Sequence, residues 1–505
     1  MKKINILIII FSVVIFSCSK KLDQVPISSA TSETFYTQQQ DFINGSNAIY
    51  NSLRGYPDRQ LNLSETRSDN LYAVSDGGVR DWEGINSFHK TIASNPYVIE
   101  AWNANFNGIY KANVLLEQIA TNGSVITDAA LKLRLEAEAK FLRAFFYFDL
   151  VRWFGKVPII DHPLLANEAL EIGQSPVADV YNLIISDLQF AATSLPDVYS
   201  AADKGRATKW AAKGILALVY MTRSAPAYGI DGPGLGLNEW SNALTLLNEI
   251  IASTRYSFLP SYTNIFSYTN ENNAEVVFDV EYITGVSYVS GTTTVVLGGT
   301  FPWVLVPDTW FQSNGKAVQG GLTIRPLSND LLNAYDAADT RKAFSIQSGF
   351  TYNGVTETRS FFKKMVDLTK VPSNRVDWPF NFIVLRYTDV LMMKAECILH
   401  GATGTQAEVD AIVTQVRNRA GITGAVTGIT LAQLFAERRK EFASEGSRWH
   451  DLVRSGQIEQ IMLAWDAAED VLNAMSPFNK NFIIYPIPQT ELDVKPGLYT
   501  QNPGY

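Results

Sequence analysis

Apolar residues recur every three to four positions over long stretches of this chain, the period of a helix burying one side. In "SETFYTQQQDFINGSNAIYNSLR", Phe35, Phe42, Ile49 and Leu53 fall on one face, with Ser32 placed as a cap. "VIEAWNANFNGIYKANVLLEQIA" continues the pattern. "DAALKLRLEAEAKFLRAFFYFDLVRWFG" follows, with Leu131, Leu135, Leu142 and Phe145 or Phe146 down one side before it turns apolar all round, so this helix is expected inside the molecule. Gly155 and Pro158 end it. The same periodicity predicts helices over 176–194, 206–224, 238–253, 383–400, 405–420 and 430–445. Several form pairs of about 15 residues with short turns, near the roughly 34-residue pitch of tetratricopeptide repeats.

Two regions break the rhythm. Residues 54–95 mix Gly, Pro, Asp and Asn with Tyr72, Trp82 and Phe88, which predicts a long structured loop. Between about 258 and 380, "AEVVFDVEY" and "GTTTVVLGGTFPWVLVP" predict a few strands among irregular aromatic segments. Unstructured stretches this long inside a domain are usually functional. Pro486, Pro488, Pro496 and Pro503 predict an extended strap for residues 476–505.

The first residues differ from all of this. Lys2 and Lys3 precede an apolar run from Ile4 to Phe16. At 1.5 Å per residue the run spans about 20 Å, short of the roughly 30 Å of a bilayer core, so it predicts a secretory signal over 1–17. An apolar residue, a small residue and then Cys18 resemble a bacterial lipobox, with Cys18 the acylated first residue of the mature chain and the polar stretch to residue 34 a tether. Cys397 is the other cysteine, so no disulfide framework is expected.

Of the 505 residues, 46% are apolar and 18% charged, with a net charge of −8; a protein tracking nucleic-acid phosphates needs the opposite sign, so nucleic acid is excluded as a partner. Catalytic patterns are lacking. His89, His162, His400 and His450 are scattered without metal-ligand spacing, no G-x-S-x-G occurs, and the glycines of "GIDGPGLGL" follow no strand. No metal, cofactor or catalytic residue is assigned. "ERRKEFASEGSRWHDLVRSG" (437–456) concentrates charge and looks like an active site. On a helix, however, Arg438, Glu441, Glu445 and Arg448 share a face on which opposite charges interleave. His450 and Asp451 point about 100° apart and make no dyad. The segment reads as a structural ion network, with Leu434, Phe435 and Phe442 as its apolar face and a break near Gly446.

Four segments, "AEAKFLRAFFYFDLVRWFGKVPII", "LRYTDVLMMKAEC", "ERRKEFASEGSRWHDLVRSG" and "IYPIPQTELDVKPGLYTQNPGY", resemble in order and spacing the signatures of the SusD/RagB family of nutrient-binding lipoproteins. The resemblance spans nearly all of the mature chain. It implies a mostly α fold: tetratricopeptide-like helix pairs in a single domain with long aromatic loops and a few short strands. The expected frame covers 35–257 and 381–475, and the loop-rich insert covers 258–380. It also implies a lipid-anchored, outward-facing outer-membrane protein that captures oligosaccharide, without cleaving it, for a SusC-like TonB-dependent transporter. A surface glycoside hydrolase, with carboxylates drawn from Asp69, Asp76, Asp81 and Glu83, and a peptide-binding or structural surface protein are the alternatives. A sugar site needs aromatic faces with polar groups between them. Two regions provide these: Asp69, Asn70, Tyr72, Arg80, Trp82 and Asn86, and the later aromatics Tyr288, Trp303 and Trp310. Trp82 with Asn86 is the leading pair.

Overall fold

The computed structural model describes residues 35–74, 80–290, 293–317 and 323–505. The signal segment, Cys18, the tether and the Ser32 cap lie outside the described residues. The first helix, α1 (Gln39–Tyr50), begins where Asp41 accepts the backbone N–H groups of Thr37 and Gln38, both at 3.0 Å. Then come α2 (Pro96–Asn122), α3 (Ala129–Phe154), α4 (Val177–Ser194), α5 (Lys209–Ser224) and α6 (Trp240–Ala252). After the mid-chain region follow α7 (Tyr387–Leu399), α8 (Gln406–Arg419), α9 (Leu431–Glu441), α10 (Arg448–Arg454) and α11 (Ile458–Glu469).

From α1 to α8 each helix packs against the next, in a continuous layer of tetratricopeptide-like pairs. The layer closes tightly where it must: a Cβ on Gly108 of α2 would lie 2.3 Å from the Phe146 ring of α3, so only glycine permits this approach. The expectation for α3 holds, since every residue from Phe141 to Phe154 is buried. One of its buried carboxylates, Asp149, accepts bonds from Arg59, Gln60, Asn105 and Trp153 at 2.8–2.9 Å, tying α3 to the 59–60 turn and to α2.

The mid-chain region contains three antiparallel pairs. β1 (Val276–Val280) pairs with β6 (Phe382–Arg386), β2 (Ser287–Ser290) with β3 (Thr293–Val296), and β4 (Ile346–Tyr352) with β5 (Val355–Phe362). The β4–β5 turn is Asn353–Gly354, both at positive φ, as a two-residue hairpin requires. Two sequence expectations change. The helix predicted over 383–400 starts at Tyr387, because the residues before it complete a sheet with β1. The loop predicted over 54–95 begins instead as helical turns, Tyr56–Gln60 and Leu61–Glu65, then gives a short helix Asp81–Asn86. Every residue from Arg59 to Leu71 is buried, so no polar face exists to reveal a period.

The 437–456 segment is scaffold, though its ion pairs are not the ones its spacing suggests. Helix α9 stops at Glu441, and Ser444 takes φ +63°. The charges then pair across elements. Glu441 receives Arg386 at 2.8 Å, Arg419 at 2.6 Å and Arg341 at 3.0 Å. Glu445 receives Lys364 at 2.6 Å and Arg386 at 2.9 Å, while Arg438 reaches Asp389 at 2.7 Å and Asp451 at 3.0 Å. His450 lies against the Trp153 ring, 4.4 Å between centroids, and burial beside Arg152 and Arg454 holds its imidazole neutral at ordinary pH. No His–Asp dyad forms there.

Burial alone would raise the Glu441 carboxyl, but Arg419, Arg386 and Arg341 outweigh it and hold it far below the usual carboxylate range. A depressed folded-state pKa contributes stability that is complete above the unfolded value of about 4.5 and is lost as pH falls below it. Glu441→Ala is expected to cost about 3–5 kcal/mol by leaving buried guanidinium groups uncompensated. Denaturant midpoints measured from pH 7 to pH 3 are expected to fall less steeply for Glu441→Gln than for the wild type.

Candidate functional site

After α1 the backbone stays helical through Glu65, passing through 3₁₀, α and π turns. Polar residues recur along it at every fourth position: Arg54, Asp58, Asn62 and Thr66. At that spacing they share one side, and each holds a piece of a distant loop. Arg54 donates to the carbonyls of Val296 and, at 3.3 Å, Gly298, while its own carbonyl accepts the Tyr282 hydroxyl at 2.5 Å. Asp58 accepts the Thr300 hydroxyl at 2.5 Å. Burial pushes the Asp58 carboxyl up to about 6, against the opposing effect of that bond. Asn62 and Thr66 accept from Arg325 at 2.8 and 3.0 Å.

Arg325 itself is buried and makes no ion pair within 4.0 Å among the described residues. Desolvation pulls its guanidinium down to about 10, so it remains cationic at neutral pH. It lies 4.4 Å from the Trp82 ring centroid, and the exposed Arg80 lies 5.9 Å from the same ring. Beside the stripe, Trp303 is half-buried. Its indole N–H donates to Asp308 at 2.6 Å, and the Arg375 guanidinium covers the ring at 4.2 Å. The β2–β3 hairpin leaves Tyr288 43% exposed, next to exposed Ile283, Val286 and Val289.

Of the residues expected to meet ligand, Arg80, Trp303 and Tyr288 are accessible, and the rest are corrected. Trp82 is only 6% exposed, its ring already stacked by Arg325, so it supports Arg80 from below. Asn86 is fully buried. Its amide donates to the carbonyls of Thr66 and Leu71 at 2.7 and 2.9 Å and accepts from the Ala73 N–H at 2.8 Å, which leaves nothing for a sugar. Asp69 takes both arms of Arg448 at 2.7 Å, and Arg439 and Arg448 outweigh burial to hold its carboxyl low, which removes it as a general acid. Asn70 bridges Glu65 and Arg439, both at 2.8 Å. Tyr72 spends its hydroxyl on Asp470 at 2.8 Å. Trp310, 5% exposed, packs edge-on to Phe361. Asp76 lies outside the described residues.

The sequence reading missed Arg54, Asp58 and Arg325. Arg59, Gln60, Ser64 and Glu65 are polar as well, so the four-residue spacing does not stand out in the sequence.

Asn86→Ala is expected to lower stability by about 3 kcal/mol, by stranding two buried carbonyls and one N–H, with a correspondingly lower denaturant midpoint.

Two family models match the chain. One, described as the SusD family, covers residues 333–505; the other, described as starch-binding associating with outer membrane, covers residues 21–221. A SusD-like protein of Formosa agariphila is 27% identical over 554 aligned residues, covering 100% of both chains. The starch-binding protein SusD of Bacteroides thetaiotaomicron is 26% identical, covering 79% of this chain and 76% of its own. The solved structure of a laminarin-binding SusD-like protein is 25% identical, with a TM-score of 0.76 over 93% of this chain and 100% of that one. Helix layer, mid-chain hairpins and both family matches agree: the chain belongs to the SusD/RagB family.

Proposed function

We propose that this chain is a non-catalytic, cell-surface glycan-binding lipoprotein. In this reading it is tethered to the outer membrane through Cys18 and passes captured oligosaccharide to a SusC-like TonB-dependent transporter. The observation that carries the proposal is the stripe of Arg54, Asp58, Asn62 and Thr66. It fixes segments from distant parts of the chain that carry the accessible groups Trp303, Arg80 and Tyr288. A pyranose offers C–H faces to such rings and a rim of hydroxyls to such donors, and neither contact requires bond cleavage. The names of the relatives, one starch-binding and one laminarin-binding, support a carbohydrate ligand. The burial of Asp69 in an arginine clamp weakens the hydrolase alternative, which drew on that carboxylate.

Isothermal titration of the purified chain against neutral oligosaccharides is expected to give saturable binding with no reducing ends released. Trp303→Ala combined with Arg80→Ala is expected to weaken binding about tenfold or more, while the exposed Arg80 site alone changes stability by less than about 0.5 kcal/mol. Undiminished affinity in the double variant would place the ligand elsewhere.

A further inference from the structure

A groove of about 470 Å³ lies between the 263–268 turn, the helix Thr340–Ser345 and the segment 363–368. It is separate from the stripe described above and shares none of that stripe's residues. Its walls are aromatic. Phe266 and Trp310 line it from the core, and Tyr268 and Phe344 are half-buried at its surface. Tyr268 covers one face by stacking on Phe380, 4.4 Å between centroids and 8° between planes, and its hydroxyl donates to the Met365 carbonyl at 2.8 Å. The ring is thereby fixed in the groove wall, partly exposed. Phe344 is braced edge-on against Tyr262.

Lys363 lines the same groove. Its ammonium meets only the Gln347 side-chain oxygen, at 3.5 Å, and makes no ion pair within 4.0 Å among the described residues. Its sequence neighbour Lys364 is the contrast: Glu445 and the carbonyls of Glu441 and Ala443 take up its three donors. Desolvation lowers the Lys363 ammonium below its ordinary value, with no carboxylate offsetting it. Asp367, on the same segment as Lys363, has one carboxylate oxygen already bonded by the N–H and hydroxyl of Thr369 at 2.8 and 2.7 Å. A partly desolvated cation beside half-buried aromatic rings is the complement of a ring that is apolar on one face and anionic at its edge.

We propose that this groove is a second saccharide subsite, taking a pyranose that carries a carboxylate or a sulfate. The sugar's C–H face rests on Tyr268 and Phe344, and its anionic group meets the Lys363 ammonium. The proposal rests on the glycan-binding reading, but it names a different site and a charged class of sugar.

The test is isothermal titration of the purified chain with three probes: trigalacturonate, a sulfated κ-carrageenan tetrasaccharide and neutral laminarihexaose. At least one acidic probe is expected to bind, more weakly as salt rises. Lys363→Gln and Phe344→Ala are each expected to weaken that binding about tenfold, Lys363→Arg to retain it, and Trp303→Ala to leave it unchanged. Whichever acidic probe binds identifies the charged group. Binding of neither acidic probe would overturn the proposal, as would equal affinity in the wild type and Lys363→Gln, or loss of acidic binding in Trp303→Ala. Laminarihexaose reads the Trp303 site alone, so failure there leaves the Lys363 result to stand or fall by itself.

Discussion

Three guanidinium groups converge on one buried carboxylate, Glu441, and each comes from a different part of the chain. Arg341 belongs to the mid-chain region, Arg386 to the end of β6 and Arg419 to the end of α8. Removing such charges from water is costly, and the arrangement is stable only with every partner in place. Its effect is therefore one of register. The mid-chain residues can dock on the helical layer in the one position that satisfies all three arginines.

The clamp continues toward the stripe of Arg54, Asp58, Asn62 and Thr66. Arg439 and Arg448, flanking the same corner, seize Asp69, and Arg439 also reaches Asn70. Glu65 accepts the backbone N–H groups of Ser444 and Gly446 at 3.0 and 3.2 Å. These bonds immobilise the 65–70 segment, and its Thr66, with Asn62 just before it, holds Arg325 and through it Trp82. The segment carrying Arg80 and Trp82 is thus held from behind by buried charges. Rigidity of this kind lowers the entropy lost on binding.

Much of the helical layer was legible because its residues alternate between core and solvent with a fixed period. The roles of individual charges were not. Arg438, Glu441, Glu445 and Arg448 stand three and four apart, which suggests neighbours on one helix, yet the backbone leaves the helix at Glu441 and the charges pair with other segments instead of with one another. The aromatic loops show the same limit. Their enrichment was visible, but whether Trp82 or Trp310 faces inward depends on which distant segment packs over it, and a loop has no period to encode that. Asn86 illustrates it: its three partners are backbone groups, which no side-chain pattern reveals. One local signal was overlooked, the Asn353–Gly354 pair between alternating residues that makes the β4–β5 hairpin.

Cys397 lies wholly inside α7, and burial pushes its thiol far above the range where it ionises. With its thiol out of reach, Cys397 forms no disulfide, and the described residues fold without disulfide exchange. A single cysteine introduced on the rim of the Lys363 groove of the purified chain would then be the sole accessible thiol among the described residues for a maleimide dye or spin label.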